Sequence, residues 1–448
     1  PGVDVPIARN LRDRDVLLPK YWIGSSTSQE TVEKEFSDVV FHSHNEALRS
    51  IPAAAFEEIE NKAIDSNTLE QYDEYTYTIF RTMNRIDPKY CFNYDERTRH
   101  YHRLLSYWIT VLEERNIDTV VFPISPLHTY SYVLYAVCKE KDIQTVILTN
   151  TKLPDMWFVR EDVDEMPRWQ TDHETAELSE LSDSSREYLV NLREKNVHGA
   201  IKPSDQQNTT KSLLFNVKSY PKYFMSLNKN VSSFYKRRGE LPENSNKTWG
   251  EYMLHKFKTN IRKKKLQKCY DSLSRKPKYS ENYIYVPLHY QPERSSVPEG
   301  GVYSTQKLMV ELLAHNLPDG WKIFVKEHPK QFHTFKQGEH SRSKYHYEDL
   351  DKIETVSLVD LETNSSTLID NAKAVATLTG TAGWEAIVRD VPAIIYGNAW
   401  YRNCNAVFDV KSVSETREAL SEIEQDDGVS KFEDTVGFAK LLEDHGFR

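Results

Sequence analysis

Cysteine is scarce in this chain. Cys91, Cys138, Cys269 and Cys404 are the four present, and no two stand at the C-x-x-C spacing of a metal knuckle or redox pair. A disulfide scaffold does not suit so long and cysteine-poor a chain, and all four read as reduced thiols of a cytoplasmic protein. Long apolar runs are missing too. The most apolar segment, Thr119 to Val137, is broken by two prolines, a histidine and several hydroxyls, short of the roughly 20 apolar residues that span a bilayer. No basic-then-apolar leader opens the sequence, which begins PGVDVPIARN without methionine, as expected of a processed or trimmed form. Positive charge is not in excess: 58 Lys and Arg face 67 Asp and Glu, a net charge of −9. That balance argues against a nucleic-acid partner while leaving room for a local basic patch. Internal repeats and low-complexity tracts are absent.

At 448 residues the chain exceeds one ordinary hydrophobic core, so two domains are expected. A hydrophobic fraction of 39% with 28% charged residues is that of a globular protein. The 26 tyrosines suit clefts in which one ring edge stays wet. DVVFHSHNEALRS reads as strand then helix, Ala53 to Glu114 as helical, and TVVFPIS, HTYSYVLYAVCKEKD and TVILTNT as a β-α-β unit. From Asp162 to Lys278 periodicity fades, and the segment reads as helices and loops added to the first domain. Its end, residues 256–278, carries ten Lys or Arg against one Asp. This is either a solvated helix with a linker or a contact with an anionic membrane or a polyanionic acceptor. Beyond Tyr279, strands and helices alternate down to PAIIYGN, which reads as the last strand, in the manner of a doubly wound parallel sheet. The division expected is 1–278, an acceptor-binding Rossmann-like domain with a helical insertion; 279–411, a nucleotide-sugar-binding Rossmann-like domain; and 412–448, helices that pack back toward the first.

The strongest chemical signal is AVATLTGTAGWEAIVRD. A buried strand runs into Thr379-Gly380-Thr381-Ala382-Gly383 and a helix expected to begin near Trp384. Small residues, two hydroxyls and the bare N–H groups of a helix start make either a phosphate cradle or a tight strand-helix turn. Glu385, placed in the first helical turn, would take a ribose hydroxyl pair or favour the helix dipole. FVKEHPKQF puts Lys326, Glu327 and His328 at another strand end, where an imidazole can donate to a phosphate leaving group. VPLHYQPERS adds Gln291, Glu293 and Arg294, the last two equally readable as a structural ion pair. In the first half, His128 follows a strand in FPISPLHTYSY and Asp155 follows the next in TKLPDMWF. Each is a candidate base or nucleophile, against a helix-capping turn and an ordinary loop aspartate. His42/His44 and His100/His102 stand at i, i+2, a spacing that does not share a helix face, and no metal site is expected there.

YVPLHYQPERS, then KEHP, then ATLTGTAGWEAIVRDVPAIIYGNAWY, in that order from Tyr283 to Phe408, resembles the bacterial capsule polysaccharide biosynthesis family, which includes Kdo transferases. The β-α-β segment matches more loosely. The resemblance implies an α/β fold of GT-B type, two Rossmann-like domains facing across a cleft, with extra helices in the N-terminal one. It implies a CMP-activated 2-keto acid sugar, most often Kdo, as donor substrate, and no divalent metal or other cofactor. Gln291, His328, Thr379 and Thr381 would hold the CMP. The expected function is a glycosyltransferase acting on a glycan or glycolipid acceptor at the cytoplasmic membrane face. A CDP-alcohol phosphotransferase of the teichoic-acid type and an inactive scaffold or glycan-binding module are the alternatives.

Overall fold

The computed structural model describes residues 4–59, 61–87, 92–167, 169, 176–194, 249–291, 296–333, 338, 341–425 and 430–447. The chain divides into two compact units, Pro1–Ile147 with Phe215–Tyr252 and Leu148–Leu214 with Met253–Arg448.

The first unit is α/β. It opens with α1 (Asp4–Asp13), β1 (Tyr21–Gly24), α2 (Gln29–Glu35), β2 (Val40–Ser43) and α3 (His44–Leu48). β1 and β2 are parallel, with Tyr21 opposite Val40. The helical stretch follows as α4 (Ser66–Gln71), α5 (Asp73–Ile86) and α6 (Tyr94–Glu114), the last begun by a capping box between Asn93 and Glu96. The β-α-β unit forms as read: β3 (Thr119–Phe122), α7 (Thr129–Glu140) and β4 (Gln144–Asn150), with β3 and β4 parallel. α7 is buried from Thr129 through Cys138, which explains why its sequence is apolar all round rather than striped. Tyr21, His42 and Tyr107 fasten the unit internally: the Tyr21 hydroxyl lies 2.7 Å from His42 Nδ1 and 2.7 Å from the Tyr107 hydroxyl. His42 is thus a core histidine, and burial lowers it to about 4.

In the second unit β5 (Trp157–Arg160), α8 (Asp183–Glu194) and α9 (Trp249–Leu273) precede a sheet of β6 (Tyr283–Pro287), β7 (Lys322–Lys326), β8 (Val356–Leu358), β9 (Ala374–Thr377), β10 (Ala393–Ile395) and β11 (Val407–Asp409). The helices between and after these strands are α10 (Lys307–Asn316), α11 (His346–Asp351), α12 (Ser365–Asp370), α13 (Thr381–Val388), α14 (Val413–Glu424) and α15 (Lys431–His445). The strand order is β11-β10-β9-β6-β7-β8 and each pairing is parallel. This is the doubly wound order that turns back between its first and fourth strands. Three-residue β11 lies beyond PAIIYGN, so that segment is the fifth strand of six.

Period-two burial builds the three layers. Ile284, Val286, Ile323, Val325, Ala374 and Ala376 face one core, with Leu266 and Tyr270 of α9, Leu313 of α10 and Leu420 of α14. Tyr283, Tyr285, Phe324 and Val375 face the other side, toward Leu368 and Ala386. Both faces are covered, as a parallel sheet requires.

The division differs from one at residue 278, and packing is the reason. Met156, Phe158, Leu181 and Leu189 share a core with Trp384, Ile395, Phe438 and Leu442. Phe447 closes a two-way backbone bridge with Trp157, at 2.8 and 2.9 Å. Arg160 pairs with Glu299 at 2.5 Å. β5 and α8 therefore complete the layer over the C-terminal sheet, together with the last helix.

Candidate functional site

Open parallel sheets bind ligands outside the carboxyl ends of their strands, beside the point where strand order reverses. Here that point lies between β6 and β9, and two side chains meet across it. His289, two residues beyond β6, sets its Nε2 2.9 Å from the Thr377 hydroxyl at the end of β9. Its backbone is gripped by Gln306, whose Oε1 accepts the His289 N–H at 2.6 Å and whose amide donates back to the His289 carbonyl at 3.2 Å.

The Thr379–Gly383 bend sits directly above. Gly380 is the residue before α13. A Cβ there would fall 2.6 Å from Thr377 Oγ1 and 3.3 Å from His289 Nε2, so only glycine lets the bend approach the switch point this closely. The Tyr401 hydroxyl donates to the Gly380 carbonyl, and a side chain at Gly383 would strike that hydroxyl. The small residues are thus required first by the protein's own packing. No side chain caps the helix start, and Thr379, Gly380, Thr381 and Ala382 are half-buried. The bend presents first-turn amides and two hydroxyls at the sheet edge, groups that suit an oxyanion.

α13 starts at Thr381 rather than near Trp384, since Gly380 already has the extended conformation of a cap. That shift moves Glu385 out of the first turn, away from the positive dipole end. Glu385 is buried, 5% exposed, and close enough to Tyr188, Tyr285 and Tyr401 to add to the rise that burial causes in each phenol.

One strand away from β6, β7 ends in Lys326, Glu327 and His328 with their side chains sorted. Glu327 is 1% exposed and fully engaged. Arg342 binds it through Nε at 2.8 Å and Nη2 at 3.2 Å, the Tyr347 hydroxyl donates at 2.8 Å, and the His328 N–H donates at 2.7 Å. Arg342 also donates to the His289 carbonyl at 3.0 Å. One buried ion pair therefore fixes the loops after β6 and β7 together. His328 Nδ1 accepts the Lys330 N–H at 3.0 Å, so the proton of the neutral ring resides on Nε2, a donor. Its ring lies 6.3 Å from that of Tyr290, the neighbour of His289. Lys326 turns the other way, donating to the Thr363 carbonyl and, at 3.0 Å, to the Ser365 hydroxyl.

Gln291 is buried, its amide donating to Ser296 at 2.6 Å and its N–H to Gln331 at 3.0 Å; it shapes the loop beyond β6. Glu293 and Arg294 lie outside the described residues. The structure thus places Lys326, His328, Gln291, Thr379, Gly380 and Thr381 on one edge of one sheet. His128 belongs to the first unit, half-buried at the residue before α7, with its N–H donating to the Ser131 hydroxyl at 3.0 Å. Asp155 is exposed at the turn between β4 and β5 with a φ of +54°, a conformation that aspartate tolerates better than most residues. His289, Gln306, Arg342 and Tyr347 were not singled out by motif. His289 alone had a signal, as the polar residue just past a strand at the reversal of order.

Residues 187–418, just over half of the chain, match the family described as capsule polysaccharide biosynthesis protein. The chain belongs to this family. The motifs from Tyr283 to Phe408 fall within the match, and so does the whole edge built by β6, β7 and β9. No curated protein matches the chain. Among solved structures, KpsC of Thermosulfurimonas dismutans, a beta Kdo 2,7 transferase, is similar at 18% identity and a TM-score of 0.23, covering 35% of this chain and 51% of that one. The chain thus spans about half the length of that relative. The beta Kdo 2,4 transferase of the same organism gives 14% and 0.26, over 68% and 77% of the two chains. UDP-GlcNAc 2-epimerase of Methanocaldococcus jannaschii, in complex with UDP-GlcNAc and UDP, gives 13% and 0.28, over 77% and 80%. At such scores the overlap is shallow, and family membership rests on the sequence match.

Two measurements check the geometry. Arg342→Met strands the Glu327 carboxylate in the core and is expected to cost about 3–5 kcal/mol in chemical denaturation. Adding Glu327→Gln recovers most of that loss, whereas two independent defects would add. Lys326 gives a pH signature, because burial pulls it from 10.5 down to about 8. Between those values the folded chain releases a proton that the unfolded chain keeps, so folding gains stability as pH rises. Urea midpoints at pH 7.5 and 9 are expected to show a gain in the wild type that Lys326→Met reduces.

Proposed function

We propose that the chain is a glycosyltransferase of GT-B type that moves a CMP-activated 2-keto acid sugar, such as Kdo, to a lipid-linked or polysaccharide acceptor in surface glycan assembly. The observation that carries the reading is the edge at β6, β7 and β9: an imidazole Nε2–H from one strand end, and first-turn amides and hydroxyls from another, on the same side of one sheet. These are donors for the phosphate that departs when the donor's glycosidic bond breaks, and stabilising charge in this way is often what lowers such a barrier most. Family membership supports the reaction class. His328 donates to the leaving phosphate, Thr379, Gly380 and Thr381 hold it through hydroxyls and amides, and Lys326 adds positive charge from the other side of the β7 end, where it binds Ser365. Gln291 and Glu327 keep the loops in place. His128, in the first unit, is the candidate base or nucleophile; Asp155, which falls in the second unit, is the other candidate for that role. The reaction as written calls on no metal or other cofactor.

Membership of a surface-glycan family also gives meaning to the basic helix α9. Thr259, Lys263, Leu266 and Tyr270 are buried at spacings of four, three and four, so that stripe packs on the sheet. The opposite side exposes Phe257 and Ile261 beside Lys258, Arg262, Lys265 and Lys268. Two apolar side chains among four cations suit an anionic lipid surface, and this face is proposed as the peripheral membrane contact.

His328→Ala is expected to lower transfer at least about 100-fold while leaving the thermal transition in place. Full activity with the correct donor removes the proposal's centre. A thermal-shift panel of CMP, CDP, UDP, GDP and their sugars identifies the donor, since saturation at 100 times Kd stabilises by about 2.7 kcal/mol. Turnover of CDP-glycerol or CDP-ribitol alone would indicate alcohol-phosphate transfer, and binding without turnover a scaffold. For the membrane face, flotation is expected with vesicles of phosphatidylglycerol and phosphatidylcholine but not of phosphatidylcholine alone. Reversing Lys258, Arg262, Lys265 and Lys268 to Glu should abolish it; unchanged flotation assigns the contact elsewhere.

A further inference from the structure

β6 ends at Pro287, and the ladder toward β7 carries on to the Leu288 N–H, which donates to the Lys326 carbonyl at 2.9 Å. His289, one residue further, is 7% exposed, so its backbone N–H and carbonyl need partners inside the protein. Side chains provide them. The Gln306 amide meets both groups, accepting the N–H at 2.6 Å and donating to the carbonyl at 3.2 Å, while Arg342 Nη2 donates to the same carbonyl at 3.0 Å. One amide stands in for a missing strand. Its orientation follows from its partners, since a backbone N–H only donates and a carbonyl only accepts.

Gln306 holds this place against the preference of its backbone. It is fully buried between the short helical turn Gly301–Thr305 and α10, with φ +51° and ψ −39°. A left-handed φ suits glycine and, among residues with side chains, asparagine. Asparagine would carry the same amide one methylene short of His289. Reach is therefore what glutamine supplies here, and strain is tolerated to have it, as happens at functional sites. What the grip secures is the floor under the Thr379–Gly383 bend. His289 Nε2 lies 2.9 Å from Thr377 Oγ1, and a Cβ on Gly380 would sit 2.6 Å from that oxygen and 3.3 Å from that nitrogen. The bend rests directly on the His289–Thr377 pair.

We propose that Gln306 is a positioning residue for the donor's phosphate, acting through His289 and Thr377 on the Thr379–Gly383 bend, an inference that rests on the glycosyltransferase reading above. Gln306 fixes the His289 backbone, the His289 ring braces the Thr377 hydroxyl, and the pair sets how deeply the bend is seated. The first-turn amides and hydroxyls of the bend are then aimed before a ligand arrives, the preorganisation on which oxyanion binding depends. Without the amide, the His289 N–H is left buried and unpaired. The end of β6 shifts to find a partner, and the bend loses its support. The ligand addressed is the phosphate of a nucleotide, and the effect of Gln306 reaches it through packing.

CMP is the probe, with calorimetry for its Kd and CMP release from CMP-Kdo for turnover. Gln306→Met keeps the length and removes both bonds. It is expected to weaken CMP binding about 10-fold and to slow turnover by up to about 100-fold, the scale of a 1 Å misplacement. Gln306→Glu keeps an acceptor for the N–H without a donor for the carbonyl, and should fall between. Gln306→Asn accommodates the positive φ but is too short, so it should bind CMP as weakly as the Met variant, and it carries the test should Gln306→Met not fold. Leu313→Ala is the control. It opens the core beneath the same helix α10 and is expected to lower the thermal midpoint at least as far while leaving CMP affinity unchanged. Wild-type affinity in Gln306→Met or Gln306→Asn overturns the proposal. So does an equal loss in Leu313→Ala, which makes the effect one of general stability. Failure of the parent reading looks different: the wild type itself then binds no CMP.

Discussion

The pairing of Glu327 with Arg342 is the constraint on which the candidate site depends. A carboxylate and a guanidinium taken out of water cost several kcal/mol each unless every lone pair and proton is met, and here they are. Two guanidinium contacts, one phenol and one backbone N–H converge on Glu327. The same guanidinium reaches the His289 carbonyl, and the Tyr270 hydroxyl accepts the Glu327 N–H at 3.1 Å. The network therefore runs from α9 through the end of β7 to the end of β6. What it secures is the backbone at His328 and at His289. These two imidazoles then need little freedom of their own to be held at the edge of the sheet, which is the preorganisation that electrostatic catalysis requires.

That arrangement explains why the motif reads Lys-Glu-His-Pro rather than His-Pro alone. Successive residues at a strand end point to opposite faces, so Lys326 and Glu327 anchor the turn on two sides. Lys326 reaches Ser365 at the start of α12, and Glu327 reaches Arg342 and Tyr347 ahead of and within α11. Pro329 begins the short helical turn whose Lys330 N–H is accepted by His328 Nδ1. Each letter has a mechanical task, and the third also sets a ring N–H at the sheet edge.

Much of this was legible in the sequence where burial is periodic. From Tyr283 to Ile395, strands with both faces covered and helices between them leave an alternation that needs no other knowledge. The candidate residues read there, Lys326, His328, Thr379 and Thr381, are those at strand ends. Legibility failed where tertiary packing decides. β11 is three residues long and carries too little pattern to be seen. The start of α13 was misplaced because a glycine cap in extended conformation looks like any turn residue until its φ and ψ are known. The composition shift near residue 278 marks the end of α9, yet the unit boundary follows from Phe158 and Leu189 packing with Trp384 and Phe438. Arg342 stands in a polar loop, HSRSKYHYEDL, that announces nothing; its importance comes from a carboxylate fifteen residues away in sequence.

His44 shows the same limit in another form. Read along the chain it belongs with His42, two positions earlier, and the pair splits because the strand ends between them and α3 begins on His44. His42 turns into the core, where burial keeps it neutral and Tyr21 and Ile51 occupy both its nitrogens. His44 turns out of the strand and meets a histidine from a different strand end. A histidine with both nitrogens bound to internal partners is a structural strut. Two positions of chain thus separate a histidine sealed in the core from one held at a strand-helix junction by the Tyr130 hydroxyl at 2.8 Å.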